Sequence, residues 1–250
     1  MRAIRYALLV AALGVTQPSF AADLPVKAPP APPPPAFSWT GCYIGPQIGY
    51  AWVRDRNTET VGGGISPFNP IDAAEPRGFK AGGMLGCNWQ VPGTGWVIGI
   101  EGDGEGADIN HGSATYANTF PADNYETRID WQASVRGRLG YAFDGTFLGW
   151  TFNRTLVYAT GGAAWANVQQ IYFCNGCGLE RISTTRDGWT VGGGLEYAFL
   201  DRWTIRGEYR YSDFGTHTDF PVVTFVGFAQ EHDTTEHAVR FGVTYKFWPW

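Results

Sequence analysis

The sequence predicts an all-β fold, an eight-stranded antiparallel up-and-down transmembrane β-barrel. Three observations carry that expectation. Charged residues make up 16% of the 250 positions, below the roughly 25% usual in soluble domains, while 34 Gly and 16% aromatics suit many strands joined by tight turns. Beyond an N-terminal signal no apolar run reaches helix-spanning length, so a membrane crossing by this chain requires a closed barrel. From Trp39 onward, eight stretches alternate apolar and polar residues at the strand period of two.

Residues 1–21, MRAIRYALLVAALGVTQPSFA, form a secretory signal. Arg2 and Arg5 supply its basic start, Ala7 to Val15 its short apolar core, and Ser19 and Ala21 the small residues before the cut. An apolar core of that length does not reach across about 30 Å of hydrocarbon at 1.5 Å per residue. Removal of Arg2 and Arg5 leaves 16 basic against 23 acidic residues, a net charge of −7, which argues against nucleic-acid binding. Residues 22–37 are a Pro-rich periplasmic tether, stiff and exposed, because PVKAPPAPPPPA cannot form a sheet ladder. Residues 38–250 are the barrel domain.

The strands are expected near 39–52, 79–90, 96–104, 125–143, 155–169, 188–200, 203–213 and 235–247. Most reach the roughly ten residues a tilted membrane strand needs. Long connections near 53–78, 105–124, 170–187 and 214–234 alternate with shorter ones at 91–95, 144–154 and 200–202. Long loops at one end and short turns at the other fit an outer-membrane barrel with its turns in the periplasm.

Alternation by itself has no sign, because a soluble barrel would place the same apolar face inside. In 125–143, Ile129, Trp131, Val135, Leu139 and Tyr141 oppose Asp130, Gln132, Ser134, Arg136 and Arg138. In 237–247, Val239, Phe241, Val243 and Tyr245 oppose Arg240, Gly242, Thr244 and Lys246. Three features select the inverted sense, with the apolar face on lipid. Aromatics gather at strand ends, with Trp39, Trp89, Trp96, Phe143, Phe199, Trp203 and Phe247 at one end and Trp52, Trp189 and Tyr211 near the other. Gly and Ala recur on the polar face and leave room for long charged side chains, and the signal exports the chain.

The polar face then lines a lumen just wide enough for side chains to fill. It is expected to hold the cations Lys80, Arg136, Arg138, Arg206, Arg210, Arg240 and Lys246 and the anions Glu101, Asp103, Asp130, Glu196 and Glu208. Unpaired charge in a confined interior is costly, so an Arg–carboxylate network plugging the lumen is expected.

The stretches WTGCYIGPQIGYAW, GWTVGGGLEYAF, WTIRGEYRYSDFG and HAVRFGVTYKF resemble the alphaproteobacterial porin-like outer-membrane family, whose members are often called outer-membrane immunogenic proteins and are related in shape to OmpA-like barrels. The resemblance covers about residues 37–247. It implies an eight-stranded barrel in the Gram-negative outer membrane, with surface loops and no established enzymatic activity. Cys42 and Cys87 stand where the family usually has aromatics, and FWPW replaces the usual terminal Phe.

Four Cys in an exported chain suggest disulfides. Cys42 and Cys87 lie at ends of adjacent strands that an antiparallel pairing brings together, so a cross-strand bridge is geometrically open, with two free buried thiols as the alternative. Cys174 and Cys177 form CNGC in the third long loop. No βαβ pattern supports a redox site, no second Cys pair supports zinc and no His follows for haem, which favours a local bridge. EGDGEGAD at 101–108 has calcium-like spacing, but the twelfth position is Gly112 where an EF-hand has Glu, so Glu101 and Asp103 are read as lumen residues running into an acidic loop. His111, His217, His232 and His237 show no spacing that makes a catalytic base. No catalytic, cofactor or metal residue is assigned.

The reading is a structural and surface outer-membrane barrel, non-catalytic, with a charged, filled lumen. A narrow porin for small solutes is the alternative, and a lipid-modifying enzyme ranks behind it. The partners implied are outer-membrane lipid, lipopolysaccharide and the assembly machinery; peptidoglycan contact through the tether and homo-oligomerisation stay open.

Overall fold

A computed structural model describes residues 37–66, 70, 73–116, 123–143, 145–147, 150–151 and 153–248. The signal, the tether apart from Phe37, and Pro249 and Trp250 lie outside the described residues. Eight long strands follow one another: β1 (Gly41–Val61), β2 (Arg77–Gln90), β3 (Trp96–Thr115), β4 (Asn124–Phe143), β5 (Thr155–Cys174), β6 (Gly178–Ala198), β7 (Trp203–Asp219) and β8 (Ala229–Trp248). Each pairs antiparallel with the next, and β8 pairs with β1 from Cys42↔Trp248 to Thr60↔Ala229, so the sheet closes on itself. The two-residue strand Gly64–Ile65 folds back on the tip of β1, and Thr146–Phe147 pairs with Trp150–Thr151 in the turn after β4. Among the described residues no helix is long and apolar enough to cross a membrane.

The polarity is inverted relative to a soluble barrel. Ile48, Leu85, Ile100, Val135, Leu139, Leu195, Ile205 and Phe241 are exposed, whereas Lys80, Glu101, Arg136, Arg138, Arg206 and Arg210 are buried. Exposed Trp89, Trp96, Phe143, Phe199, Trp203 and Phe247 ring the end with short turns, and Trp52, Trp131, Trp165 and Trp189 ring the other side of the apolar belt. Trp39, expected in the first ring, is 5% exposed. It packs with Val97, Leu156, Tyr158 and Ala198 as an apolar floor of the lumen, edge-on to Phe37.

The strands run much further than the sequence predicts at the loop end. β1 continues from Trp52 to Val61, β3 from Gly104 to Thr115, and β8 begins at Ala229 instead of near 235. The third long loop, expected over 170–187, shrinks to a turn of Asn175–Cys177 between paired Cys174 and Gly178. The reason is physical. Beyond the outer aromatic ring the outward face meets water, so Arg54, Arg56 and Thr58 replace apolar residues there while the inward face stays buried. The apolar alternation ends where lipid ends, but the hydrogen-bonded ladder does not. EGDGEGAD is likewise strand, not acidic loop.

Close strand approach explains several glycines. A Cβ on Gly86 would sit 2.5 Å from the Tyr43 hydroxyl, and one on Gly194 would sit 2.8 Å from that of Tyr158. These inward glycines make the seats for two aromatic rings. A closed ladder of this kind resists detergent until heated. Purified protein is therefore expected to migrate in two positions on detergent gels, one unboiled and one boiled; a single position under both conditions would contradict a closed barrel.

Candidate functional site

The lumen is filled in four layers, described from the turn end to the loop end. Above the Trp39 floor sits a charged layer. Glu101 on β3 receives Arg136 of β4 and Arg206 of β7, and the Tyr43 hydroxyl donates to it at 2.6 Å. Asp103, two residues on and therefore on the same face, accepts from Arg136 and Arg210 at 2.9 Å and from Arg240 at 3.1 Å. Glu208 joins Arg136 and Arg210 at 2.9 Å each. Lys80 binds Glu236 at 2.6 Å and Glu105 at 3.5 Å, and Arg240 reaches Glu105 at 2.9 Å. Arg138 pairs with Glu196, stacks over the Tyr158 ring at 3.7 Å and donates to Tyr43 at 3.1 Å, which links it to Glu101.

Ten of the sequence-predicted lumen charges come together here: Lys80, Glu101, Asp103, Arg136, Arg138, Glu196, Arg206, Glu208, Arg210 and Arg240. Two do not. Asp130 is exposed on the outer wall, because a β-bulge between Ile129 and Trp131 breaks the alternation and turns Ile129 inward. Lys246 sits half-buried at the turn-end rim, where Nζ donates to the Ser38 carbonyl at 2.6 Å and lies 4.7 Å from the Phe37 ring centre. Its side chain lies past the end of the network, too low to reach a lumen carboxylate. Two buried acids that the sequence reading passed over, Glu105 and Glu236, complete the set. Glu105 continues the every-second-residue series of Glu101 and Asp103, and that signal could have found it. With these corrections six cations, Lys80, Arg136, Arg138, Arg206, Arg210 and Arg240, meet six anions, Glu101, Asp103, Glu105, Glu196, Glu208 and Glu236. The layer is neutral.

Next comes an apolar band of Ala51, Val53, Ile109, Ile129, Ala164, Ala166, Val168, Phe214 and Ala238. Above it a second polar cluster closes the lumen. Asp55 accepts from Thr127 at 2.8 Å and Thr234 at 2.6 Å, and lies 2.7 Å from His232 Nδ1. His232 Nε2 is 2.8 Å from the Tyr172 hydroxyl, which also donates to Asp219 at 3.2 Å. Tyr116, Tyr125 and Tyr172 cap the cluster.

Of the histidines, His232 is fully buried and His237 lies on the outer wall against Tyr209 at 2.7 Å. His217 is partly exposed, 3.6 Å from Asp219, and the side chain of His111 lies outside the described residues. The described residues bring no group of three or more His, Cys, Asp or Glu together as a metal site. Cys42 bonds to Cys87 across paired positions of β1 and β2, and Cys174 bonds to Cys177 across the β5–β6 turn.

The chain matches the family profile described as "Outer membrane protein beta-barrel domain" over residues 7–247. It is 33% identical over 256 residues to the 31 kDa outer-membrane immunogenic protein of Brucella melitensis biotype 1, covering 95% of this chain and 97% of that one. It is 31% identical over 254 residues to the 25 kDa outer-membrane immunogenic protein of Brucella abortus biovar 1, covering 99% and 100%. Among solved structures it is similar to the outer membrane protein OprG of Pseudomonas aeruginosa, at 12% identity and a TM-score of 0.49, covering 83% of this chain and 96% of that one.

Breaking a buried ion network by removing one partner usually costs about 3–5 kcal/mol, because the other charges stay buried and short of a partner. D103N neutralises the acceptor of three guanidiniums and is expected to destabilise the barrel by about that amount in urea titrations in lipid vesicles. D130N, on the outer wall, is expected to change stability by about 0.5 kcal/mol or less. Equal effects of the two would put Asp130 back in the lumen.

Proposed function

The chain belongs to the outer membrane protein β-barrel domain family, and from that premise we propose that it is a non-catalytic surface scaffold whose lumen is a structural core and not a conduit. Its place is the outer membrane, as for its relatives. The observation that carries the proposal is the stacking of four filled layers, with an apolar floor, a neutral ion network, an apolar band and a tyrosine-capped polar cluster. A hydrated ion would have to part paired charges and then cross a largely apolar layer, with buried Arg186 beside Ala166 as a cation in its path.

What the scaffold presents is the raised loop end. The extended strands lift the hairpin tips beyond the outer aromatic ring, and the segment between β7 and β8 exposes Phe220, Val222, Val223 and Val226. That segment is held down by Glu180 of β6, whose carboxylate accepts the backbone N–H groups of Val222, Val223 and Thr224 at 2.9 Å each. Slight burial pushes the Glu180 carboxyl up, but the three N–H groups outweigh it and hold the carboxyl below its ordinary value. The names of the Brucella proteins, immunogenic outer-membrane proteins, support a displayed surface here too. Outer-membrane lipid, lipopolysaccharide and the assembly machinery are the partners this reading requires.

The narrow-porin reading is separated by conductance. Folded protein in planar bilayers is expected to give no porin-sized steps, and regular steps of that size would overturn the filled-lumen reading. The enzyme reading is separated by mass spectrometry of lipid A after overexpression, where an unchanged profile is expected and a new acylation state would contradict the scaffold. Because the Glu180 carboxyl is depressed in the folded state, its anchor is present at neutral pH and is lost as pH falls through the folded value. Protection factors of the 222–224 amides, corrected for the intrinsic exchange rate at each pH, are therefore expected to fall at low pH in the wild type and to be low at every pH in E180A; wild-type protection retained in E180A would show that the anchor is idle.

A further inference from the structure

Two arginines of the outer wall stand together without an ion pair. At and above the outer aromatic ring β1 turns Trp52, Arg54 and Arg56 outward, and β2 begins with outward Arg77. Trp52 pairs with Arg77 on one side and with His237 of β8 on the other, so these three side chains form one row. The ladder continues past Arg77: the Val53 N–H donates to the Pro76 carbonyl at 2.9 Å, and Asp55 and Ala74 exchange backbone hydrogen bonds at 2.8 and 2.9 Å. Arg54 therefore stands diagonally from both Arg77 and His237. Such diagonal neighbours are roughly 7–8 Å apart, a span that long side chains close. Among the described residues Arg54 and Arg77 have no carboxylate within 4.0 Å, although Arg56 lies 3.9 Å from Asp233 and Arg128 lies 2.9 Å from Glu126.

Between these side chains opens a hollow of about 190 Å³, lined by Trp52, Arg54, Glu75, Pro76, Arg77 and His237. That is below the roughly 300–1,000 Å³ of a site enclosing a whole small molecule, and it suits one headgroup fragment. His237 Nδ1 is 2.7 Å from the Tyr209 hydroxyl. With that hydroxyl donating, Nε2 carries the ring hydrogen and is a donor. The hollow thus offers guanidinium and imidazole N–H groups, beside one carboxylate, Glu75, that pairs with neither arginine. Directly below, Phe79 is 73% exposed, and Tyr50 packs edge-on against both Phe79 and Trp52 at 5.0 Å.

An amphiphile seated here puts its hydrocarbon against Phe79 and its anion against Arg54 and Arg77. A phosphate monoester carries about −1.5 to −2 charge near pH 7, so two guanidiniums balance it, whereas a phosphodiester leaves one of them short. Guanidinium–phosphate contacts are frequently bidentate, which a point charge cannot match. The occupant rests on the scaffold reading above, in which the loop end faces outward and this level of the wall meets the outer leaflet. There the amphiphile that bears phosphate monoesters is lipid A. We propose that Arg54, Arg77 and His237 bind one phosphate of a lipid A molecule whose acyl chains lie against Phe79 and Trp52.

The test is native mass spectrometry of the folded, signal-free chain in detergent with EDTA, so that no divalent cation bridges Glu75 to a phosphate. The chain is titrated in turn with lipid A, dephosphorylated lipid A, phosphatidylglycerol and inorganic phosphate. Lipid A is expected to bind most tightly, and R54Q/R77Q to weaken it at least about tenfold, the size expected for lost charge-assisted hydrogen bonds. R181Q, which removes an exposed arginine of β6, is expected to leave that affinity unchanged. Retained affinity in R54Q/R77Q, an equal loss in R181Q or equal binding of dephosphorylated lipid A would overturn the site. Phosphatidylglycerol or inorganic phosphate binding as tightly as lipid A would overturn the assigned occupant. E75Q removes a like charge and is expected to tighten lipid A binding, which keeps the site testable if the double variant does not fold; weaker binding in E75Q would contradict an anion there. Orientation is read separately, by antibody staining on intact cells of an epitope inserted after Gly227. Staining together with unselective lipid binding sinks the site alone, and absence of staining sinks the scaffold reading beneath it.

Discussion

A polypeptide in hydrocarbon has nowhere to send an unpaired backbone N–H or C=O, and that constraint governs everything else in this chain. The antiparallel ladder must close, so β8 returns to β1. Closure at eight long strands leaves an interior about one side chain deep from each wall, and an interior of that size has to be filled. Once lipid claims the apolar face, the residues left to fill it are the polar ones. The lumen therefore behaves as a protein core built from charges.

Such a core is stable only when its charges balance and their geometry is fixed. Six cations and six anions interlock so that most acids have more than one partner, with Asp103 meeting Arg136, Arg210 and Arg240. Tyrosine hydroxyls bridge where an ion cannot reach, and glycines such as Gly86 and Gly194 clear space for their rings. The apolar band above the network is ordinary hydrophobic packing enclosed by the barrel. Together these layers fill the lumen with side chains, which supports the proposed role of the barrel as a scaffold for its outer rim.

Much of this was legible in the sequence where one rule held throughout. Period-two alternation located all eight long strands, and the charged series on β3, β4, β7 and β8 pointed to the lumen. Among what escaped it, three features have a common physical reason in the limits of the alternation rule. The bulge at Ile129 and Trp131 shifts the face by one residue, and only the neighbouring strand's register reveals that, so Asp130 was assigned inside. The strand ends above the outer ring carry polar residues on the wet face, so the pattern that marks a membrane strand vanishes although pairing continues. The upper cluster around Asp55, His232 and Tyr172 was hidden for the same reason, because its residues fell in segments that read as loops.

Site-directed nitroxide scanning of β8 in vesicles tests the inverted, filled barrel most directly. Labels at 241 and 243 are expected to relax with dissolved oxygen, which concentrates in lipid, and labels at 242 and 244 to be shielded from both oxygen and a water-soluble nickel chelate. Access of the chelate to 242 and 244 would show an aqueous channel, and protection of 241 and 243 from oxygen would show that the apolar face is not on lipid; either result contradicts the account.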